Sequence, residues 1–407
     1  MTPLKVGLLA PAFPPVGAAL EAVRRAERMG WDFVDYPDQL VSTNPYGQLG
    51  HRPVPASDPS LPSGFFCDEW MASLPMCAAA AVATERIPII VGVIDPLRRA
   101  PALMAQELLT LDHLTGGRTT FAIGSGEAKQ FRPYGISRSK PITRMLEAIE
   151  VWRALWNFEG TPLVRPSEFF PLDNAVFPLR PFEGRSPSLL AVGAGDKVFN
   201  LAGRVCDGWL TYLPAGLGDD YSQIAEAIAA IKAIADAHGR DPDALRFNAM
   251  VNVAFADTDE KAWEMVRHPV CAWISMAAAG LNAGKTWAEF GYENPLGNDF
   301  VWARDMDALV VDAAEVPAMA ERVPDDIADR VYVWGTPGRA ADRLQRMVDA
   351  GINEICFMNV AAGADPEYAA TFNRLASDVL VRLGHAPLCL ESEDSAVMAA
   401  GVSRCAT

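Results

Sequence analysis

The sequence predicts a (β/α)8 TIM barrel, an α/β fold, with insertions at the C-terminal face of its strands. Three observations carry this reading. Eight short apolar runs recur along the chain. Most are apolar without interruption, the pattern of parallel strands covered on both faces rather than half-exposed antiparallel ones. Amphipathic helical stretches lie between them, as a closed barrel with an outer ring of helices requires. The chain has 407 residues, 50% of them hydrophobic, enough for one catalytic domain over residues 1–384.

The expected strands are Lys5–Ala10, Asp32–Tyr36, Ile87–Val93, Thr119–Gly124, Leu189–Gly193, Gly208–Tyr212, Ala249–Ala256 and Glu354–Met358. A helix over Ala18–Met29 turns Ala19, Ala22, Val23, Ala26 and Met29 inward and stops at Gly30. A second, Pro101–Gly117, has Met104, Leu108, Leu111 and Leu114 on its apolar face and a C-cap signal at Gly116 and Gly117. Two further stripes, Ile142, Met145, Ile149, Trp152, Trp156 and Ile224, Ile228, Ile231, Ala235, are read as core.

Two long connections depart from a minimal barrel. Val41–Phe66, rich in Pro, Gly and Ser, follows the second strand and so belongs to the active-site face. A second, about 277–330, has little regular pattern and carries Trp287, Phe290, Tyr292, Phe300 and Trp302. These aromatics suit either an apolar substrate wall or the packing of the insertion onto the barrel. Beyond residue 384 the pattern fades, and 385–407 is expected to be a mobile tail.

Lys and Arg number 35 against 51 Asp and Glu, a net charge of −16. That balance argues against a general nucleic-acid or anionic-membrane surface. It leaves room for a local basic pocket, for which Arg98, Arg99, Lys129 and Arg132 are the candidates. Seven cysteines lie scattered without a CxxC, and there is no leader and no long uncharged apolar run, so a reducing, cytoplasmic setting is expected. The five histidines have no metal-binding spacing, and no metal site is expected.

Chemistry concentrates where strands run out. In Ile123–Lys129 a strand ends in Gly124, Ser125 and Gly126, which let a flat ligand lie against the backbone and carry Glu127 to its edge. The bland alternative is a glycine turn. Gly193, Ala194 and Gly195 lead from a strand into a helix whose free N–H groups suit a phosphate; the segment lacks the third glycine and distant acid of a dinucleotide fingerprint. The segment Asp35–Val41 delivers Asp38 and Gln39 to the same face, and Gln39 cannot exchange a proton near neutral pH.

With LDHLTGGR at Leu111–Arg118, GSGEAK at Gly124–Lys129 and VGAGDKVFNLAGRVCDGW at Val192–Trp209, the chain resembles the luciferase-like oxidoreductases that use flavin or the deazaflavin F420. Within them it is most similar to the phthiodiolone ketoreductase branch, through Ser139–Trp156, Phe169–Gly184, Asn294–Phe300 and Trp334–Pro337. The resemblance covers roughly residues 4–384 and implies the same barrel. It implies Asp38 as a cofactor-orienting carboxylate and an acid/base histidine where this chain has Gln39. It also implies a non-prolyl cis peptide at Gly92–Val93 against the middle ring of the cofactor, and Glu127 near the reactive ring. Walled by that ring and apolar groups, Glu127 would have a raised pKa and act as general acid or order a water that does. The cofactor's phosphate tail falls to Gly193–Gly195. The expected activity is F420-dependent hydride transfer to or from a carbonyl or alcohol carbon of an apolar, lipid-like substrate. The alternatives are an FMN-dependent monooxygenase and a non-catalytic flavin-binding barrel. Relatives often form dimers, so a homodimer is possible.

Overall fold

The computed structural model describes residues 3–41, 70–213, 221–279, 283–307 and 311–390. Its strands are β1 Lys5–Leu9, β2 Phe33–Tyr36, β3 Ile89–Ile94, β4 Thr119–Ile123, β5 Leu163–Arg165, β6 Leu172–Ala175, β7 Ser188–Val192, β8 Gly208–Leu213, β9 Arg246–Phe255, β10 Tyr332–Gly335 and β11 Glu354–Met358. Each of the eight expected strands is present. They pair in parallel in the ring β1-β2-β3-β4-β7-β8-β9-β11, and β11 closes back onto β1. The eight parallel strands with their surrounding helices are a (β/α)8 TIM barrel.

The sequence reading missed β10. It pairs in parallel with Asn252–Phe255, the far half of β9. Four residues are too few for a periodicity to register. The antiparallel hairpin of β5 and β6 was missed for the same reason.

The helices are α1 Val16–Met29, α2 Ser73–Ala83, α3 Pro101–Thr115, α4 Pro141–Trp156, α5 Asp196–Arg204, α6 Ser222–Ala237, α7 Asp259–Arg267, α8 Pro269–Ala277, α9 Ala283–Glu289, α10 Trp302–Asp305, α11 Val316–Ala320, α12 Asp325–Val331, α13 Pro337–Asp349 and α14 Pro366–Arg382. Gly30 and Gly116 end α1 and α3 in the left-handed conformation, φ 89° and 64°. Two inward assignments fail: Ala22 and Leu114 are exposed, because each lies at the edge of its helix's apolar stripe. The region 277–330, expected to lack regular structure, contains α9 to α12. All four are short, at the limit of what an apolar stripe can reveal.

Inside the barrel, Phe33, Ile90, Ala122, Leu190, Leu210, Met250 and Cys356 form one buried apolar cluster. Below it, at the strands' N-terminal ends, Arg246 donates to Glu354 Oε1 and Oε2 at 2.7 and 2.8 Å and to Thr120 Oγ1 at 2.7 Å. Side chains two residues further along each strand point the same way. The next layer up therefore brings Leu9, Asp35, Gly92, Val192, Tyr212, Asn252 and Met358 to the C-terminal mouth.

The stretch expected to begin a mobile tail is anchored over its first residues. His385 Nε2 lies 2.9 Å from Asp32 Oδ2, Leu388 N donates to Ser377 Oγ at 3.0 Å, and Cys389 N donates to Met29 O at 3.0 Å. Residues 391–407 lie outside the described residues, as does the Val41–Phe66 connection beyond Val41 itself. No described helix is long and apolar enough to cross a membrane.

Candidate active site at the barrel mouth

The predicted positions converge on the C-terminal ends of four neighbouring strands, β2, β3, β4 and β7. Glycines make the approach close. A Cβ on Gly124 would stand 2.6 Å from Val93 Cγ1 and 3.8 Å from Val192 Cβ, so the ends of β3, β4 and β7 meet at this residue. The Gly92–Val93 peptide is cis, the geometry the resemblance implies there. Gly126 has φ 71°, and a Cβ on it would come within 2.4 Å of the Phe131 ring. This tight turn swings Glu127 outward beside half-buried Ser125.

Glu127 is held by three neighbours. Trp302 Nε1 donates to its Oε1 at 2.6 Å, and Lys129 Nζ forms an ion pair with Oε2 at 3.2 Å. Burial pushes the carboxyl's pKa up, but the Lys129 charge, the Trp302 hydrogen bond and Gln130 outweigh it and hold it below the ordinary range. This overturns the expectation of a raised pKa, which was built on apolar walls and had no ammonium in it. The cation paired with Glu127 is Lys129, two residues along the same loop.

Lys129 is wholly enclosed while about a quarter of the Glu127 side chain, 24%, stays accessible. Its Nζ also donates to Gln39 Oε1 and to Val41 O, the latter at 2.9 Å. Gln130 Nε2 reaches Gln39 Oε1 at 3.2 Å and Asp38 O at 3.3 Å, and Gln130 Oε1 accepts from Leu40 N at 3.0 Å. The β4 loop thus straps the segment carrying Asp38 and Gln39.

Asp38 is buried, 3% exposed, and its carboxylate accepts from protein groups. Arg98 Nη2 and Arg99 Nη1, the latter at 2.9 Å, reach Oδ2; Arg99 Nη2 and Ser73 Oγ reach Oδ1 at 3.1 and 2.8 Å. Burial raises its pKa, but Arg99, Arg98 and Ser73 prevail and hold it below the ordinary range. Arg98 Nε is paired at the same time with Asp95 Oδ2 at 2.5 Å. The basic pocket expected from Arg98, Arg99, Lys129 and Arg132 is therefore not a free cationic patch. Three of the four cations face carboxylates, and exposed Arg132 instead donates to Arg304 O at 3.4 Å.

At the end of β7, Gly193 has φ 130° and its carbonyl accepts from Trp209 Nε1 at 2.7 Å. Gly195 caps α5, and Ala194 and Gly195 are exposed. Of the five aromatics in the insertion, Trp287 and Phe300 are buried, Tyr292 bonds Asp326, and Phe290 lies 4.3 Å from the Arg330 guanidinium. These pack the insertion together; Trp302 alone among the five contacts Glu127.

Sequence reasoning gave no role to Lys129 in holding Glu127, to Trp302 as its donor, or to Asp35. The last had a signal: a carboxylate within an otherwise apolar strand. Asp35 is fully buried, and neither carboxylate oxygen has a hydrogen-bond partner among the described residues. A Cβ on Gly92 would be 2.9 Å from both oxygens. Burial pushes its pKa up to about 8, with a smaller lowering from the nearby Gly92 backbone N–H, which does not reach hydrogen-bond geometry. Among the described residues, no cluster of three His, Cys, Asp or Glu could hold a metal.

The sequence model of the luciferase-like monooxygenase family matches residues 2–354. The phthiodiolone/phenolphthiodiolone dimycocerosates ketoreductase of Mycobacterium tuberculosis is 30% identical over 353 residues, 85% of this chain and 88% of the relative. The 5,10-methylenetetrahydromethanopterin reductase of Archaeoglobus fulgidus is 28% identical over 282 residues, covering 69% and 79%. Among solved structures, an F420-dependent secondary alcohol dehydrogenase in complex with an F420-acetone adduct superposes with a TM-score of 0.66 at 23% identity, covering 93% of this chain and 99% of the other. With its barrel, its converging strand ends and a match across most of its length, the chain belongs to the luciferase-like monooxygenase family of oxidoreductases.

Proposed function

We propose that this protein is an F420-dependent oxidoreductase that moves a hydride between the deazaflavin ring and a carbonyl or alcohol carbon of an apolar substrate. The observation that carries the reading is a carboxylate, Glu127, presented at the mouth with 24% of its side chain accessible, on the loop after β4 where the ends of β3 and β7 and the cis Gly92–Val93 peptide meet at Gly124. Val93 and Val192, whose side chains pack around Gly124, would give a flat ring an apolar surface there. In this reading Gly92, Val93 and Gly124–Gly126 would hold the ring, and the N-terminus of α5 at Gly193–Gly195 would hold the phosphate tail. The bound group supplies the hydride.

The protein's own residues bind, orient and handle the proton. Asp38 acts indirectly, fixing Arg98 and Arg99 beneath the ring site. Gln39, tied to Lys129 and Gln130, orients without titrating. Glu127, held ionised, is poised to accept the hydroxyl proton of an alcohol; in the reverse direction the same oxygen returns it. Leu9, Val192 and Met358 of the mouth layer, beside the polar Asp35, Tyr212 and Asn252, offer an apolar substrate its contacts, in keeping with the dimycocerosates named in the mycobacterial ketoreductase.

Titrating the purified protein with F420 and with FMN side by side, followed by ketone reduction with reduced F420, tests the proposal. Tight F420 binding and ketone reduction are expected. Tight FMN binding with oxygen consumption and no response to F420 would replace it with the monooxygenase reading.

A further inference from the structure

We propose that Lys129 is a positioning residue that supplies Glu127 with the proton it delivers to the substrate oxygen, taking over the relay that Gln39 cannot perform. The inference rests on the carbonyl-reduction reading above.

The geometry places the ammonium behind the carboxylate. Lys129 is fully enclosed; its ammonium forms an ion pair with Glu127 Oε2 at 3.2 Å and donates to Val41 O at 2.9 Å and to Gln39 Oε1. It therefore joins the two positions where acid/base work is expected, and it cannot itself reach a ligand. Among the described residues, the charged groups around it are Glu127 on its own loop and Arg98 from the β3–α3 connection; Arg138 lies beyond Glu127 and donates to Gly126 O at 2.9 Å. Burial and Arg98 disfavour the ammonium, Glu127 favours it, and the balance leaves it more acidic than an ordinary lysine.

When a carbonyl carbon gains a hydride from a reduced deazaflavin, its π bond opens and the oxygen needs a proton. In the proposed step the Glu127 carboxyl O–H bond breaks as the alcohol O–H bond forms. Lys129 Nζ gives up one proton to Glu127 and becomes a neutral amine, and a proton taken from water at the accessible Glu127 carboxylate then returns to it. Alcohol oxidation runs the same transfers backwards.

Two measurements test this. In the cofactor-free protein, 15N NMR of labelled lysine side chains, assigned by comparison with Lys129→Arg, should find one ammonium that titrates below the others and moves further in Glu127→Gln. With reduced F420 and a ketone, Lys129→Arg keeps the positive charge but cannot release a proton at working pH. It should bind cofactor within about threefold of wild type, lose roughly 100-fold or more in kcat, and lose the pH limb assigned to the pair. Lys129→Met should lose that limb too, with weaker cofactor binding. Wild-type ketone reduction together with an unshifted Lys129 signal, or with a wild-type pH profile in Lys129→Arg, overturns the inference alone. Absence of ketone reduction by the wild-type protein overturns the functional reading and this inference with it.

Discussion

The indole N–H of Trp302 reaches Glu127 Oε1 at 2.6 Å although 175 positions of chain separate them. The contact makes the 277–330 insertion part of the site, because α10 sits on the loop that follows β4. A neutral donor to a carboxylate stabilises its charged form.

Replacing Trp302 with Phe keeps most of the packing area and removes the donor. The Glu127 pKa should rise, which moves the corresponding limb of the kcat/KM profile to higher pH. Turnover should fall by about one to two orders of magnitude as the carboxylate loses its fixed orientation. The variant should keep the wild-type circular dichroism spectrum. An unmoved pH profile would remove Trp302 from the proton chemistry.

Asp38 offers a sharper stability test, since its buried carboxylate faces Arg98 and Arg99. Asp38→Asn leaves those cations short of an anion and should destabilise the fold by about 3–5 kcal/mol in urea at neutral pH. The pH dependence follows from the lowered native pKa. The unfolded state takes up the proton first as pH falls, so this contribution is complete above the ordinary value near 3.8. It is lost as pH drops through the lower native value. Acid unfolding of wild type and variant should therefore converge at low pH.

How far the sequence reached follows from what each signal encodes. The eight barrel strands were legible because continuous apolar runs alternate with helical stripes. The strand-end glycines were legible because close packing where strands converge demands them, as the 2.6 Å between a Cβ on Gly124 and the Val93 side chain makes plain. What stayed hidden was pairing across distance. No local pattern says that Trp302 meets Glu127, or that Lys129 turns inward to Gln39 instead of joining a basic patch. The Glu127 pKa went the wrong way for that reason: burial is a local inference, whereas the neighbouring charge depends on how a loop folds. Strand β10 was hidden by its length.

The two ends of the barrel should be separable by mutation. Glu354 is 3% exposed and anchors Arg246 and Asn248 at the N-terminal end, away from the mouth. Glu354→Gln should cost about 3 kcal/mol by leaving Arg246 without its charge partner. Cofactor affinity, measured by fluorescence titration below the unfolding range, should stay at the wild-type value. A parallel loss of affinity would mean that the plug and the mouth are coupled.

Asp35 carries the clearest pH signature. Its native pKa, pushed up to about 8 by burial, lies above the ordinary 3.8. Between those values the unfolded chain has released the proton while the folded protein retains it. Stability therefore falls as pH rises, by about 1.4 kcal/mol per pH unit from this group, and levels off outside the window. Asn has the same shape and no ionisation, so Asp35→Asn should match wild type below about pH 4 and exceed it increasingly up to about pH 8. Urea unfolding of both proteins at several pH values across that window gives the difference directly. Two parallel stability curves would mean that Asp35 is ionised in the native protein, and hence that a donor reaches its carboxylate.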